Sequence, residues 1–173
     1  MTFLTQDFFA RPPEVVAREL IGATLVISIP QGLKKAKITE TEAYLAEADP
    51  AAHHARYGRT PAREALYQTA GTLYIHSMRA YWGMDIVTEG VGIPSSVLIR
   101  GAVPLEGFTS AIKMDGPGKL CQALGVDKSF YGMNVCDEAC LLRVMPADDV
   151  RAVKQSTRVG LTRNTEAQLR FYI

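Results

Sequence analysis

Ile38-Thr-Glu-Thr-Glu-Ala-Tyr-Leu45 has the composition of a β-strand, because β-branched and aromatic residues are frequent in it and neither glycine nor proline interrupts it. Side chains of a strand point alternately to the two faces of a sheet. This period predicts that four residues share one face: Ile38, Glu40, Glu42 and Tyr44. Two carboxylates and a phenol are therefore expected on a single surface.

The strand is one arm of a predicted hairpin. Residues 34–45 and a preceding run, 23–29, are joined by Pro30-Gln-Gly32, which is typical of a turn. Later strands follow one another with turn residues between them and few helices, which favours antiparallel pairing. We therefore expect one α+β domain over residues 1–173, with a curved, mostly antiparallel β-sheet flanked by helices. The other predicted elements are helices at 12–20 and 119–124, a helical turn at 61–67 within a loop at 46–70, and strands at 71–77, 84–88, 95–100, 140–144, 151–159 and 167–173.

The composition is that of an ordinary globular domain. The chain has 173 residues, of which 47% are hydrophobic, and a formal net charge of +1, so it can bury a core without disulfides or metals. It has no run of about 18 apolar residues and no secretory signal, so we expect a cytoplasmic protein that does not enter a membrane. Cys121, Cys136 and Cys140 lack the spacing of a zinc site, and we expect reduced thiols and no metal.

The carboxylates of the strand suggest acid–base chemistry. Glu40 and Glu42 are about 7 Å apart along one face, and His53 follows after a short acidic loop. Repulsion and partial burial disfavour ionisation of at least one carboxylate, which is how a protein obtains a base near neutral pH. The pattern leaves two alternatives open: a solvated strand face, and a glycoside hydrolase with Glu40 and Glu42 as its acid–base pair. The scarcity of tryptophan argues against the second.

Seven short strings stand in order along nearly the whole chain: Glu40-Thr-Glu-Ala-Tyr44, Ala51-Ala-His53, Gly71-Thr-Leu-Tyr74, Val97-Leu-Ile-Arg100, Pro104-Leu-Glu-Gly107, Gly116-Pro-Gly-Lys-Leu-Cys-Gln-Ala-Leu124 and Leu169-Arg-Phe-Tyr172. Together they resemble the alkyladenine (3-methyladenine) DNA glycosylase family. The resemblance implies a monofunctional enzyme that flips alkylated or deaminated purines out of duplex DNA and hydrolyses the N-glycosidic bond, leaving an abasic site in base excision repair. It also implies damaged double-stranded DNA as the partner and no cofactor. Nothing in the sequence indicates another partner, so we expect a monomer without an obligate protein partner.

The resemblance assigns catalysis to Glu42 and Arg100. Glu42 matches the glutamate that activates a water for attack on C1′ of the deoxyribose, and Arg100 matches the arginine that helps to hold that water. Because the sugar becomes positively charged in the transition state, one anion beside it serves as base and as electrostatic stabiliser. Glu40 is then a supporting residue. Gly116 and Lys119 resemble part of a DNA-facing loop that contacts the backbone phosphates.

The same resemblance places Tyr44 and His53 on either side of the flipped base, where electron-rich rings attract a cationic alkylated purine. The second stacking position, usually tyrosine, is His76 in this sequence. Because an imidazole titrates near neutral pH, we expect charged lesions to bind less well at low pH. His54 matches no role and is expected on the surface.

Asp85 stands where the family usually has an asparagine, which is thought to reject guanine by a clash with its exocyclic amine. A carboxylate only accepts hydrogen bonds. We therefore expect Asp85 to admit that amine, to favour cationic bases and to relax discrimination between lesions.

The intercalating aromatic residue of the family falls at Met78 or Arg79. Methionine would unstack bases as an apolar plug, whereas arginine would stack and also neutralise phosphate. The sequence does not choose between them. Tyr81 and Trp82, which follow, are expected to pack in the core.

The alternative to an enzyme is a nucleic-acid-binding module that keeps the fold without the chemistry, as the near-neutral charge and the changes at His76, Met78 and Asp85 would allow. Glu42 and Arg100 together favour the enzyme. No lysine lies in the pocket strings, so a lyase step through a Schiff base is not expected. The sequence does not rank the lesions or identify an acid for neutral bases.

Overall fold

The structure, a computed structural model, describes residues 1–30, 32–109, 111–148 and 152–173. The helices are α1 (Gln6–Phe9), α2 (Pro13–Glu19), α3 (His53–Tyr57) and α4 (Pro117–Leu124), with short 3-10 helices at Pro61–Tyr67 and Lys128–Phe130. The strands are β1 (Thr24–Ile29), β2 (Gly32–Tyr44), β3 (Leu73–Met78), β4 (Tyr81–Thr88), β5 (Ser95–Glu106), β6 (Leu142–Met145), β7 (Lys154–Ser156) and β8 (Arg170–Tyr172).

The described strands form one antiparallel sheet in the order β3-β4-β5-β2-β1-β6, with β7 and β8 attached to it. Strand β2 organises the sheet because its 13 residues are enough for three partners. It pairs with β5 along one edge, and along the other edge with β1 and then with β8. The predicted α+β fold with an antiparallel sheet is confirmed.

The two faces of the sheet have different partners. Helices α2 and α4 pack on one face, where alternate residues of the strands join the hydrophobic core. Because strand side chains alternate, the intervening residues project from the opposite face. That face carries most of the candidate site. The core-facing residues of the central strands are Ala36, Ile38, Ala43, Leu73, Ile75, Met84, Ile86, Val97 and Ile99.

Strand β2 contains an irregularity that its composition does not reveal. Its register with β5 shifts on both sides of Glu40, as expected for a bulge, which interrupts the alternation of side chains. Ile38 is consequently buried in the core, whereas Glu40 and Glu42 both contact Arg100 on the opposite face. The prediction that Ile38 shares a face with the two glutamates was therefore wrong.

The predicted elements agree with the structure more closely in type than in extent. Helices α2 and α4 begin with proline in the first turn, and Gly125 in the left-handed conformation ends α4. Helices α1 and α3 were not predicted. Strand β4 begins three residues before its predicted start and β5 extends to Glu106. Of the strand predicted at 151–159, Arg151 lies outside the described residues, and β7 occupies only Lys154–Ser156.

Within the described ranges, no helix has the length and apolar character needed to cross a membrane. Cys121, Cys136 and Cys140 are free thiols, in agreement with the prediction that they form no disulfide. The described part of the chain also contains no cluster of three histidine, cysteine, aspartate or glutamate side chains suited to a metal ion.

Candidate active site

Glu42 is held on the site face of β2 by three neighbours. The backbone N–H of Val159 donates to its Oε1 at 2.7 Å, and the hydroxyl of Tyr44 donates to its Oε2 at 2.9 Å. The Nε of Arg100 lies 3.5 Å from Oε1. The side chain is 0% exposed, so the carboxylate has a fixed position below the surface.

Burial sets the protonation behaviour of Glu42. It disfavours the charged form and raises the pKa of Glu42 above its ordinary value, although Arg100, the Val159 N–H, Tyr44 and Arg158 all act in the opposite direction. A carboxylate with a raised pKa is a stronger base than an exposed one. The site therefore contains a base whose strength comes from its environment.

Arg100 reaches Glu42 from β5, but its shortest contact is with another carboxylate. Its Nε donates to Oε1 of Glu40 at 2.9 Å, and Nε of Arg170, on β8, donates to the same oxygen at 2.7 Å. Glu40 is therefore shared by two guanidinium groups. This arrangement anchors Arg100.

A cavity of about 180 Å³ opens beside this pair. It is smaller than the roughly 300–1,000 Å³ of pockets for drug-sized ligands, which suits a single flat ring system. The cavity brings together all four predicted base-pocket residues: Tyr44, His53, His76 and Asp85. Arg100 and Val159 also line it. Since both contact Glu42, the carboxylate lies directly behind the wall of the cavity.

His53 and His76 form one side of the cavity with Tyr74. The ring of Tyr74 stacks on His76 with centroids 5.1 Å apart, and its hydroxyl shares a hydrogen bond of 2.9 Å with Nδ1 of His53. Burial, together with the neighbouring His76, lowers the pKa of His53 to about 4. His53 is therefore uncharged at neutral pH and does not repel a cationic ligand.

Asp85 also lines the cavity. Its Oδ1 is 2.9 Å from Nε2 of His76, and its Oδ2 accepts a hydrogen bond of 2.7 Å from the hydroxyl of Ser96. The imidazole of His76 in turn lies over Gly83, where an added Cβ would approach Nε2 to 2.8 Å. A side chain at position 83 would force the His76 ring and the Met78 sulfur to move.

Met78 and Arg79, the two candidates for the side chain that intercalates into DNA, have different surroundings at the β3–β4 turn. Met78 is half-buried and lines the cavity, whereas Arg79 is exposed at the tip. Arg79 has a φ of 57°, a left-handed conformation that is uncommon for a long side chain. Tyr81 is 51% exposed, so its predicted place in the core was wrong. Trp82 does pack against the core.

Gly116 and Lys119 lie outside the cavity, at the start of α4. Lys119 donates to Asp115 at 2.8 Å in an exposed pair, and Gly116 is the residue before the helix, with open space around it. Gly118, between them, is in contact with Tyr81, since an added Cβ would lie 2.7 Å from its Cβ. The start of α4 therefore supports the turn that carries Arg79.

The model of the family described as Methylpurine-DNA glycosylase (MPG) matches residues 7–173. A Myxococcus xanthus protein named "Putative 3-methyladenine DNA glycosylase" is 37% identical over 165 residues, which cover 93% of this chain and 83% of that protein. This chain belongs to the methylpurine-DNA glycosylase family.

Other proteins with the same printed name are similar to this chain. One from Lactiplantibacillus plantarum is 38% identical over 173 residues, covering 93% of this chain and 82% of its own length. One from Aeropyrum pernix is 36% identical over 173 residues, covering 98% of this chain and 89% of its own length. DNA glycosylases hydrolyse N-glycosidic bonds in DNA repair, and the resemblance expected from the sequence is confirmed.

Arg158 is the site residue of this glycosylase that the sequence did not reveal. Its guanidinium forms two contacts with Asp49, at 2.7 and 2.8 Å, donates to the carbonyl of Ala43, and lies 4.6 Å from the centre of the Tyr44 ring. It thereby fixes Tyr44 and the adjacent Val159. Arg158 lies more than 100 positions from its partners, so no local signal could identify it.

Ser96 and Tyr74 were not named as site residues, yet both line the cavity. Tyr74 is two residues from His76 on β3, and Ser96 is four residues from Arg100 on β5. The two-residue period of a strand could therefore have identified both. His54, expected on the surface, is half-buried and contacts the carbonyl of Ala46.

Proposed function

We propose that this chain is a monofunctional DNA glycosylase that removes alkylated or deaminated purines from double-stranded DNA. In this proposal the purine leaves the base stack and enters the cavity, because a base within a duplex is inaccessible to a nucleophile. A water activated by Glu42 then hydrolyses the N-glycosidic bond, and an abasic site remains. The observation that carries the proposal is the Glu42 carboxylate, buried behind the cavity and in contact with Arg100.

The proposed step balances as a hydrolysis. The bond between C1′ and the purine nitrogen breaks, and its electron pair goes to the purine. The water oxygen forms a bond to C1′ and its proton passes to Glu42, whose raised pKa suits it to accept a proton. While the sugar is positively charged, the same carboxylate stabilises it.

Arg100 supports this step by position and charge. Its contact with Glu40 at 2.9 Å fixes the guanidinium, and its charge, 3.5 Å from Glu42, favours the ionised carboxylate against the effect of burial. A glycoside hydrolase with Glu40 and Glu42 as acid and base fits less well, because Glu40 is already held by two arginines.

The exposed β3–β4 turn is proposed to insert into the DNA base stack. Arg79 lies at its tip in an uncommon backbone conformation, and such strain is concentrated at functional sites. Met78 stands between the tip and the cavity, so it would fill the gap left by the extruded base. Gly116 and Lys119, at the adjacent start of α4, are proposed to contact the DNA backbone.

A lyase reaction is not part of the proposal, because the described residues that line the cavity include no lysine to form a Schiff base. We also propose that the protein acts as a cytoplasmic monomer without an obligate protein partner. All groups named in the reaction come from one chain, which supports this.

The test uses duplex oligonucleotides, each with one lesion: 3-methyladenine, 7-methylguanine, hypoxanthine or ethenoadenine. The wild type should release base from at least one duplex and leave strands that break only after alkali. Glu42→Gln should release none but still bind the duplex, and Glu19→Gln, at a partly exposed site away from the cavity, should behave as the wild type. Binding by the wild type without release of any base would favour the non-catalytic binding module instead.

A further inference from the structure

A second cavity, of about 750 Å³, shares the side chains of His53, Tyr74 and His76 with the cavity beside Glu42. Its volume lies within the roughly 300–1,000 Å³ of ligand-binding pockets, and it has no part in the proposed reaction. We call it the β3 groove, because it follows the outer edge of that strand. The side chains that distinguish it from the first cavity include Tyr57, Arg63, Trp82, Lys128 and Tyr131.

Strand β3 is the last strand in the order of the sheet, and its outer edge lies in the groove. On that edge, the N–H of Leu73 donates to the carbonyl of Met133 at 2.7 Å, and the carbonyl of Leu73 accepts from the N–H of Gly132 at 2.9 Å. Both groups of one residue point to the same side of an antiparallel strand, and the side alternates along the chain. The backbone groups of Ile75 and Ser77 therefore point outward as well. Within the described ranges, no backbone group pairs with them on that side.

The walls of the groove are fixed before any ligand binds. The hydroxyl of Tyr131 donates to the carbonyl of Pro61 at 3.0 Å and accepts from the N–H of Ala65 at 2.9 Å. It thereby joins the two 3-10 helices on either side of the groove. A preformed groove lowers the entropy cost of binding. Extended peptides bind to such places by adding a strand to an exposed sheet edge.

The groove is positively charged. Arg63 and Lys128 line it, and its described lining residues include no carboxylate. Arg63 donates to the hydroxyl of Thr60 at 2.8 Å and lies 4.6 Å from the centre of the Tyr57 ring, both of which are neutral. Among the residues that the structure describes, neither Arg63 nor Lys128 belongs to an ion pair. The groove therefore attracts an anionic segment and repels a cationic one.

We propose that the β3 groove binds an extended acidic segment of a partner protein, which adds a short strand to the free edge at Ile75 and Ser77. Carboxylates of the segment face Arg63 and Lys128, and its apolar side chains pack against the aromatic residues of the groove. This inference goes beyond the proposed function and does not rest on it, because the partner is not obligate and the hydrolysis uses none of these four residues.

Two other occupants fit less well. A second copy of this chain, paired edge to edge, would bring the same cations together, and charges beside an edge strand prevent such pairing. A DNA strand would match the charge of Arg63 and Lys128, but it lacks the alternating N–H and C=O groups that complete a β-ladder. The free backbone groups of β3 therefore favour a peptide.

The probe is a fluorescein-labelled hexapeptide of alternating glutamate and valine, titrated with the protein and followed by fluorescence anisotropy. It should bind saturably, whereas the same peptide with lysine in place of glutamate should not. Methylation of its backbone nitrogens should abolish binding, because the peptide then cannot donate to the carbonyls of β3. Lys128→Glu and Arg63→Glu should each weaken binding by about fivefold, the size of one exposed opposite-charge contact. Lys154→Glu, an equal change of charge at an exposed position on β7, should bind as the wild type does.

Amide hydrogen exchange, measured by NMR, locates the bound peptide, because exchange should slow at Ile75 and Ser77. Thermal unfolding shows whether each variant is folded, and the methylated peptide tests strand pairing on the unaltered protein. The inference would be overturned by absence of saturable binding up to about 1 mM glutamate peptide, by unchanged exchange at both amides, or by equal binding of the methylated peptide. Displacement of the peptide by a lower concentration of hexathymidylate would assign the groove to nucleic acid and would also overturn it. None of these results depends on base release, so the proposed function is tested separately.

Discussion

Replacing Asp49 by asparagine removes the charge from one member of an ion pair that has no contact with solvent. Asp49 and Arg158 both have side chains that are 0% exposed. Asparagine keeps the shape of the side chain and one acceptor oxygen for the two guanidinium contacts. The variant therefore leaves the Arg158 charge buried and only partly compensated.

The size of the expected loss of stability follows from the burial of this ion pair. Removing one partner of a buried ion pair costs about 3–5 kcal/mol, because the remaining charge is left without compensation. The free energy of unfolding of an ordinary domain is about 5–15 kcal/mol. Asp49→Asn should therefore lower the free energy of unfolding by a large fraction of its total. Urea unfolding at pH 7, followed by circular dichroism, measures this loss directly.

The chain offers a matched control in Arg59 and Glu64. This pair is also joined by two contacts, at 2.6 and 3.0 Å, but its side chains are 57% and 43% exposed. Solvent screens such a pair, so Glu64→Gln should leave the urea midpoint unchanged. Equal losses in Asp49→Asn and Glu64→Gln would show that burial does not determine the strength of these pairs.

The pH dependence gives a second check of the same pair. Burial opposes ionisation of Asp49, but hydrogen bonds from Arg158 and Asn164 outweigh it and hold the pKa below its ordinary value. The ionised folded form is thus favoured, and its contribution to stability is present above about pH 4. It is lost as the pH falls through the lower pKa of the folded protein. The difference between wild type and Asp49→Asn should shrink over that range.

Four further predictions concern the cavity. Arg100→Gln removes a charge that lowers the pKa of Glu42, so the acidic midpoint of the rate–pH profile should move to higher pH; an unmoved midpoint would exclude Glu42 as the titrating base. Glu40→Gln frees Arg100 to approach Glu42 and should move that midpoint to lower pH. His76→Tyr removes an imidazole that becomes cationic on protonation, so loss of 7-methylguanine excision at low pH should be weaker in the variant, and an identical profile would contradict the role of His76. Arg79→Ala should weaken duplex binding and reduce the slope of log affinity against log salt by about 1. Met78→Ala should weaken excision without changing that slope. Equal slopes in the two variants would show that Arg79 does not bind a phosphate.

Local composition and turn residues were enough to predict most of the sheet, whereas the candidate site residues on β3, β4 and β5 were assigned by the family resemblance. Strands β3, β4 and β5 alternate regularly, so Tyr74, Asp85 and Arg100 lie where the two-residue period puts them. The bulge around Glu40 was not predictable, because it depends on the register with β5 and not on the composition of β2. Helix α3 was missed because it has five residues and no buried one, so it lacks an apolar stripe to recognise.

The sequence did not predict the residues that reach the site from distant segments of the chain. Val159 and Arg158 contact Glu42 and Asp49 across more than 100 positions, and they lie just after β7, which ends at Ser156 although a strand was predicted up to residue 159. The family resemblance covers the positions of its strings, but it does not reveal which side chains are buried. The difference between the exposed Arg79 and the half-buried Met78 likewise depends on the turn conformation.

The strength of Glu42 as a base depends on how its two arginines are engaged. Arg100 makes its shorter contact with Glu40, and Arg158 makes both of its close ion-pair contacts with Asp49. Each arginine is therefore positioned by another carboxylate and acts on Glu42 only at longer range. If either guanidinium formed a close two-point pair with Glu42, the pKa of Glu42 would fall and the carboxylate would be a weaker base. Because both are held elsewhere, burial prevails and the pKa of Glu42 remains raised, while the nearby positive charges act in the opposite direction and favour the ionised form.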